Sequence, residues 1–179
     1  KTACQNSTDT NCFTNFREEI IYGTNVSDKV DVDSTNSIEN RLLKLVAYLN
    51  NNYPNNGWSE YLDNDSLVWN KIIVSGHSQG GGHAAYMGLE KNLKRVLMFS
   101  SPNDWSEHFN APAKWTTLTK TAETDNYFAF GNLNDDVVDF ANQYEIWKSL
   151  GLGKFQDSIQ VEGKLIPFSS SQMLYTTFN

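Results

Sequence analysis

Long apolar runs and basic residues are scarce in this sequence. No apolar stretch approaches the roughly 20 residues that span a bilayer, and the N-terminus lacks the apolar core of a signal peptide. The 179 residues include 14 Lys and Arg against 21 Asp and Glu, so the formal net charge is −7. Such a chain repels phosphate backbones and anionic membranes, and its one basic cluster, residues 91–95, is a short helix end. The composition argues against nucleic-acid binding and predicts no transmembrane segment.

Cysteine is almost absent as well. Cys4 and Cys12 are the only two thiols, and their separation of eight residues favours a local disulfide. Three N-glycosylation acceptor sequences begin at Asn6, Asn25 and Asn64, the first of them between the two cysteines. Together they predict a secreted or extracellular glycoprotein whose signal segment has been removed.

Histidine is scarce too, with three in the chain. No group of His, Cys and Asp residues has the spacing of a metal site. The sequence therefore predicts neither a metal ion nor an organic cofactor.

Apolar residues make up 39% of the chain and charged residues 20%, which is typical of one globular domain with a core. We expect a single domain over residues 1–179, with residues 1–35 as an N-terminal extension. Short β-branched and aromatic runs alternate with segments of helical periodicity. Strands are predicted at 72–74, 95–100, 127–130 and 158–161, and helices at 11–22, from Ser37 to the stop at Pro54, and at 138–150. This alternation predicts an α/β fold with a mostly parallel sheet and flanking helices.

Residues 71–90 read KIIVSGHSQGGGHAAYMGLE and contain G-x-S-x-G at Gly76, Ser78 and Gly80. An apolar strand precedes the motif and a small-residue helix follows it. This strand–turn–helix context distinguishes a nucleophile turn from a chance occurrence of the motif. A serine on such a sharp turn needs small flanking residues, so we expect both glycines to be required sterically. At this point the sequence resembles the α/β-hydrolase superfamily, specifically lipase- and esterase-like members with G-H-S-Q-G.

The resemblance implies a nucleophile, an acid and a histidine in that order along the chain, with Ser78 as nucleophile. It also implies an oxyanion-binding amide on the residue after the serine, here Gln79. The acid turn matches residues 135–138, D-x-x-V, so Asp135 is assigned as the acid. Asp136 and Asp104 remain alternatives, because each can equally be a loop or capping aspartate.

The sequence departs from the family pattern in the position of its histidines. His77, His83 and His108 all precede Asp135, whereas the family histidine follows the last strand. We expect His77 to be a buried packing residue, His83 to pack between helix and sheet, and His108 to lie in a loop away from the site. The similarity covers roughly residues 37–161, a partial α/β-hydrolase core that looks truncated at both ends, and the catalytic histidine is expected outside this chain.

Three explanations follow, of which we favour the first: a central piece of a longer hydrolase, a chain whose sheet is completed by a second chain, or a degenerate hydrolase that only binds ligands. The expected function is a serine hydrolase acting on ester or related acyl bonds, with a small-molecule or lipid-like acyl substrate. The alternative is a non-catalytic binding or interaction protein. Three aromatic side chains could line an acyl pocket, although core or surface positions are more common for such residues; they are Trp105, Phe109 and Trp115.

The strand order adds a geometric expectation. If 72–74, 96–99 and 127–130 are neighbouring parallel strands, their carboxyl ends lie along one edge of the sheet, where ligands bind in open α/β folds. Ser78 and Asp135 should then face one crevice, with hydroxyl and carboxylate about 6–9 Å apart so that an imidazole fits between them. Asp104 should lie on the same rim.

Overall fold

A computed structural model describes residues 3–118 and 124–178, and five parallel strands form its main sheet. The strands are β1 (Ile73–His77), β2 (Arg95–Phe99), β3 (Tyr127–Asn132), β4 (Ile159–Gln160) and β5 (Met173–Thr176). Their order in the sheet is β1-β2-β3-β5-β4. The predicted α/β fold with a parallel sheet and flanking helices is confirmed. Strand β5 was not predicted, and it inserts between β3 and β4.

Four α-helices accompany the sheet: α1 (Cys12–Tyr22), α2 (Ile38–Asn52), α3 (Gln79–Glu90) and α4 (Phe140–Ser149). Ser37 caps α2 as predicted, since its hydroxyl oxygen accepts from the backbone N–H of Asn40. Asp139 caps α4 by accepting from the first free N–H groups of that helix. Gly23 ends α1 in the left-handed region, at φ 72°.

Short elements fill the connections. Two-residue antiparallel ladders pair Leu62–Asp63 with Ser66–Leu67 and Trp105–Ser106 with Ala111–Pro112. The 3₁₀ turns are Pro54–Asn56, Trp58–Tyr61, Trp69–Lys71, Lys114–Thr117, Thr124–Asn126 and Phe168–Ser170.

Helix α3 is the centre of the core. Its residues 81–89 are all buried, and it packs on β1 and β2. The side chains that β2 and β3 turn toward the helices are also buried, including Val96, Met98, Tyr127 and Ala129. The helix at the centre of the core therefore begins at the residue directly after Ser78.

The opposite face of the sheet is open by comparison. Ile73 and Phe99 are 50% and 43% exposed, and Leu97, Phe128 and Phe130 on the same face are only half-buried. In the described part of the chain, β1 is also an edge strand, paired only with β2. Parallel sheets are normally covered on both faces, so this apolar face and edge are unusual.

The N-terminal segment is tied to the core. Cys4 and Cys12 form the predicted disulfide and are both buried. Helix α1 contributes Phe13 and Ile21 to the core, and it also buries Arg17 and Glu19. The Glu19 carboxylate accepts backbone N–H groups from the connection that follows α1. Among the described residues, no helix is both long and apolar enough to cross a bilayer.

Candidate active site

Ser78 lies at the junction of β1 and α3 with φ 53° and ψ −121°. Residues other than glycine rarely adopt positive φ, and such a conformation costs about 1–3 kcal/mol that the surrounding structure must offset. Here the Ser78 N–H donates to the carbonyl of Phe99 at 2.9 Å, and the Ser78 carbonyl accepts from Gly81 at 3.1 Å. The serine is therefore held on a sharp strand-to-helix turn, the geometry that the motif predicts.

The glycines around Ser78 have different roles. A Cβ on Gly76 would overlap the backbone of Gly80, so that position requires glycine. A Cβ on Gly80 would meet nothing within 4 Å, which makes the expectation for this second flanking glycine wrong. The glycines under steric constraint are instead Gly81, which faces the Ser101 side chain, and Gly82, which faces the guanidinium of Arg17. Beyond Gly76, tight packing therefore falls one and two residues after the second glycine of the motif.

A cavity of about 670 Å³ opens at the carboxyl ends of the strands. It brings together Ser78, Gln79 and the loop carrying Asp135, which is the shared crevice expected from the strand order. The backbone N–H of Gln79 belongs to the first turn of α3, where the helix dipole favours negative charge. Ser78 therefore lies in the cavity lining beside a helix N-terminus.

Asp135 lines the same cavity as Ser78. It is half-buried, and its Oδ1 accepts from the backbone N–H groups of Val137 at 2.9 Å and Val138 at 3.0 Å. Asp136 also lines the cavity but is exposed. The two backbone bonds give Asp135 a fixed orientation, as a residue that must hold an imidazole requires.

Asp104 lines the same cavity, as expected from the strand order, but its carboxylate forms an ion pair with Arg17. It is fully buried and pairs with Arg17, whose Nη2 and Nε donate to its two oxygens at 2.5 and 3.1 Å. The indole N–H of Trp115 donates to it at 2.7 Å. This buried ion pair leaves Asp135 as the better candidate for the acid.

Asn103 is a site residue that the sequence did not single out. Its side-chain amide lies 3.4 Å from the Ser78 hydroxyl and 3.4 Å from the side-chain nitrogen of Gln143. The amide can also turn over, so that its nitrogen donates to the carbonyls of Ser100 and Pro102 and its oxygen faces Ser78. The sequence feature that could have indicated Asn103 is its position just after β2, the strand that neighbours β1.

None of the three histidines lines the cavity with Ser78. His77 is exposed, so the expectation that it is a buried packing residue was wrong, because its side chain lies with those of Ile73 and Phe99 on the open face of the sheet. His108 is exposed and packs edge-on against Phe109. His83 is buried in α3 as expected, and desolvation together with the nearby Arg17 charge lowers its pKa to about 3. No histidine is among the residues that line the cavity.

The aromatic lining differs from the three candidates predicted. Trp105 lines the cavity, Phe109 lines a separate small groove, and Trp115 is fully buried in the core. Phe13 and Phe16 from α1 line the cavity instead. Both phenylalanines lie in the helix predicted at 11–22, but helical periodicity could not indicate that the cavity lies beside it.

The charge of the cavity lining is strongly negative. Among the described residues that line it, five carry carboxylates, namely Asp104, Glu107, Asp135, Asp136 and Asp139, and one, Arg17, is basic. Because Arg17 already neutralises Asp104, four carboxylates remain uncompensated within the lining. Such a field stabilises a positive charge that develops inside the cavity and disfavours anionic ligands. In the described ranges, no group of three or more His, Cys, Asp or Glu side chains could hold a metal ion.

Comparisons with protein-family models, curated proteins and solved structures give no significant match for this chain.

Proposed function

We propose that this protein is a serine hydrolase that cleaves ester or related acyl bonds, with Ser78 as the nucleophile. The observation that carries the proposal is the positive φ of Ser78 at a strand-to-helix junction that opens into a cavity. Strain of this kind accumulates at functional sites, because a merely structural serine could relax to an ordinary conformation. The α/β fold and the adjacent helix N-terminus support the same function.

In the proposed reaction the Ser78 hydroxyl oxygen attacks the substrate carbonyl while a histidine takes its proton. The N–H of Gln79 donates to the oxyanion that forms. The histidine returns the proton to the leaving alcohol, and water then hydrolyses the acyl-enzyme by the same steps. Asp135 holds the imidazole, and the carboxylates of Glu107, Asp136 and Asp139 in the cavity lining also favour its protonated form.

The histidine in this scheme comes from outside the chain. We propose that a further segment of a longer protein, or a second chain, completes the sheet and brings it to the cavity. Two surfaces support this, namely the edge of β1, which no described residue pairs with in the main sheet, and the half-exposed face around Phe99. A parallel sheet is normally covered at such surfaces.

Secretion and glycosylation remain part of the proposal. The Cys4–Cys12 disulfide fits an oxidising compartment. Asn6, Asn25 and Asn64 are all exposed, so each acceptor side chain is accessible to a glycosyltransferase.

A fluorophosphonate probe tests the hydrolase proposal in the intact, naturally produced protein. We expect labelling of Ser78, loss of labelling in Ser78→Ala, and full labelling in the control Ser59→Ala, which changes an exposed serine of the 3₁₀ turn Trp58–Tyr61. On this chain alone we expect weak or no labelling, and partial recovery when free imidazole is added. Labelling that persists in Ser78→Ala, or an intact protein that is never labelled, would contradict the proposal.

A non-catalytic binding protein is the second candidate. It is favoured by one observation, the lack of histidine among the residues that line the cavity. It predicts that an intact protein binds a neutral ester in the cavity without ever cleaving it, which isothermal calorimetry combined with product analysis distinguishes from hydrolysis.

A further inference from the structure

Arg17 is the most deeply buried basic residue in the part of the chain that the structure describes, and the proposed reaction does not use it. It lies on α1 and is only 2% exposed, yet a guanidinium is always charged at physiological pH. A buried charge of this kind costs several kcal/mol unless every polar atom is paired. Its partners therefore indicate what it does.

One of these partners, Asp104, fixes the guanidinium from one side. Asp104 accepts from Nε and Nη2, a two-point pairing that sets the plane of the group as well as its position. Asp104 is itself held by the indole N–H of Trp115, and both side chains are fully buried. The guanidinium is therefore a fixed point, anchored in the loop after β2.

The other two partners, Gln79 and His83, belong to α3. Nη1 of Arg17 lies 2.9 Å from the carbonyl oxygen of Gln79, to which it donates, and 3.1 Å from Nδ1 of His83. His83 is kept neutral by burial, so Nδ1 can accept a hydrogen bond. Gly82 leaves the space into which the guanidinium fits, since a Cβ there would overlap it. The contact thus depends on a glycine outside the G-x-S-x-G motif.

We propose that Arg17 is a positioning residue that holds the first turn of α3 and thereby aims the Gln79 backbone N–H at the oxyanion. Its bond to the Gln79 carbonyl restrains rotation of the residue whose N–H would bind the oxyanion. Because Asp104 neutralises the guanidinium, the restraint adds little positive charge to the cavity. The kinetic consequence rests on the proposed function, whereas the conformational consequence does not.

The test compares Arg17→Met and Arg17→Lys with Arg41→Met, a control that removes an exposed arginine from α2. The first readout needs no activity: the backbone amide signals of Gln79 and Gly80 in ¹⁵N-labelled chain. We expect both signals to shift or broaden in Arg17→Met and to stay unchanged in the control. If Arg17→Met does not fold, Arg17→Lys gives the same readout, because lysine cannot reproduce the two-point pairing with Asp104.

The second readout is the phosphonylation of Ser78 in the intact protein. We expect Arg17→Met to lower the maximal labelling rate constant about tenfold to a hundredfold with little change in probe affinity, since a misplaced group costs that much without weakening binding. Arg17→Lys should recover part of the rate. Unchanged Gln79 and Gly80 signals in a folded Arg17→Met chain would overturn the positioning role. An intact wild-type protein that is not labelled, with the two amide signals perturbed as expected, would instead overturn only the hydrolase proposal.

Discussion

The backbone of Ser78 shows how a single residue can store strain in this fold. Its positive φ is tolerated because hydrogen bonds on both sides hold the turn and because Gly76 lets the chain fold back on the start of α3. The same contacts indicate which substitutions the turn can accept.

Gly76→Ala and Gly80→Ala form a matched pair at this turn. We expect Gly76→Ala to destabilise the protein by more than about 3 kcal/mol, because the new methyl group overlaps the Gly80 backbone. Gly80→Ala should be neutral or stabilising by up to about 1 kcal/mol, since the position is exposed, helical and open. Urea unfolding of both variants measures the difference, and equal destabilisation would contradict the role assigned to Gly76.

His83 makes stability depend on pH. Its pKa falls from the usual 6.5 to about 3 in the folded chain, so between these values the unfolded chain binds more protons than the folded one. The stability of the wild type should therefore be fully present at neutral pH and should fall as the pH falls. Between pH 7 and pH 4 we expect the wild type to lose about 2–3 kcal/mol more than His83→Asn, which retains an acceptor near Arg17.

Chemical unfolding at several pH values tests this expectation. His108→Asn is the control, because His108 is exposed and lies outside the buried Arg17 cluster. Parallel pH profiles for the wild type and His83→Asn would show that His83 is not kept neutral by the fold.

The sequence predicts where single residues lie better than it predicts their partners. The motif predicted the strand-to-helix turn at Ser78, and the strand order predicted that Asp135 lies on the same crevice. The pairing of Arg17 with Asp104 could not be predicted, because the two lie 87 positions apart and a charged residue on an amphipathic helix is usually solvated. Burial of that pair depends on how α1 packs, which periodicity alone does not determine.

At the scale of elements, local signals predict the helices well. The caps at Ser37 and Gly23 are short-range features, and both are present. Strand β5 was missed because its four residues, MLYT, carry too short a pattern to distinguish a strand from a loop. Such a strand forms because β3 and β4 offer it partners on both sides.

The disulfide joins α1 to the segment before it, which lines the cavity through residues 3–5. For a closed loop of this size we expect the double variant Cys4→Ser/Cys12→Ser to lose about 2–3 kcal/mol of stability. Urea unfolding measures the loss, and the wild type under reducing conditions should match the variant. A variant as stable as the oxidised wild type would show that the bridge does not constrain the unfolded chain.

For the whole molecule, the strand order confirms what the sequence predicted for β1, β2 and β3, which are parallel neighbours in chain order. Hydrophobic runs alone could not predict that one face of the sheet would be buried and the other half-open. All three predicted strands read as continuous apolar runs, the pattern of strands covered on both sides. The sequence of these strands is thus typical of a fully covered sheet, whereas residues 3–118 and 124–178 leave one face half-open.

Two neighbouring residues of β2 test this asymmetry. Met98 points to the helices and is 1% exposed, whereas Phe99 points to the open face and is 43% exposed. We expect Met98→Ala to cost about 2–5 kcal/mol, as in a packed core. Phe99→Ala should cost less than about 1.5 kcal/mol in this chain, because much of its ring is already in contact with water.

The difference in stability loss between these two variants should shrink in the intact protein if a further segment or chain covers the sheet. Phe99→Ala would then become nearly as costly as Met98→Ala, since its ring would be buried by the added surface. A dye that fluoresces on apolar surfaces should bind this chain and lose signal in Phe99→Ser, while the intact protein should bind little dye. Equal dye binding by this chain and by the intact protein would mean that the open face is a permanent surface of the molecule, and the source proposed for the histidine would then have to lie elsewhere.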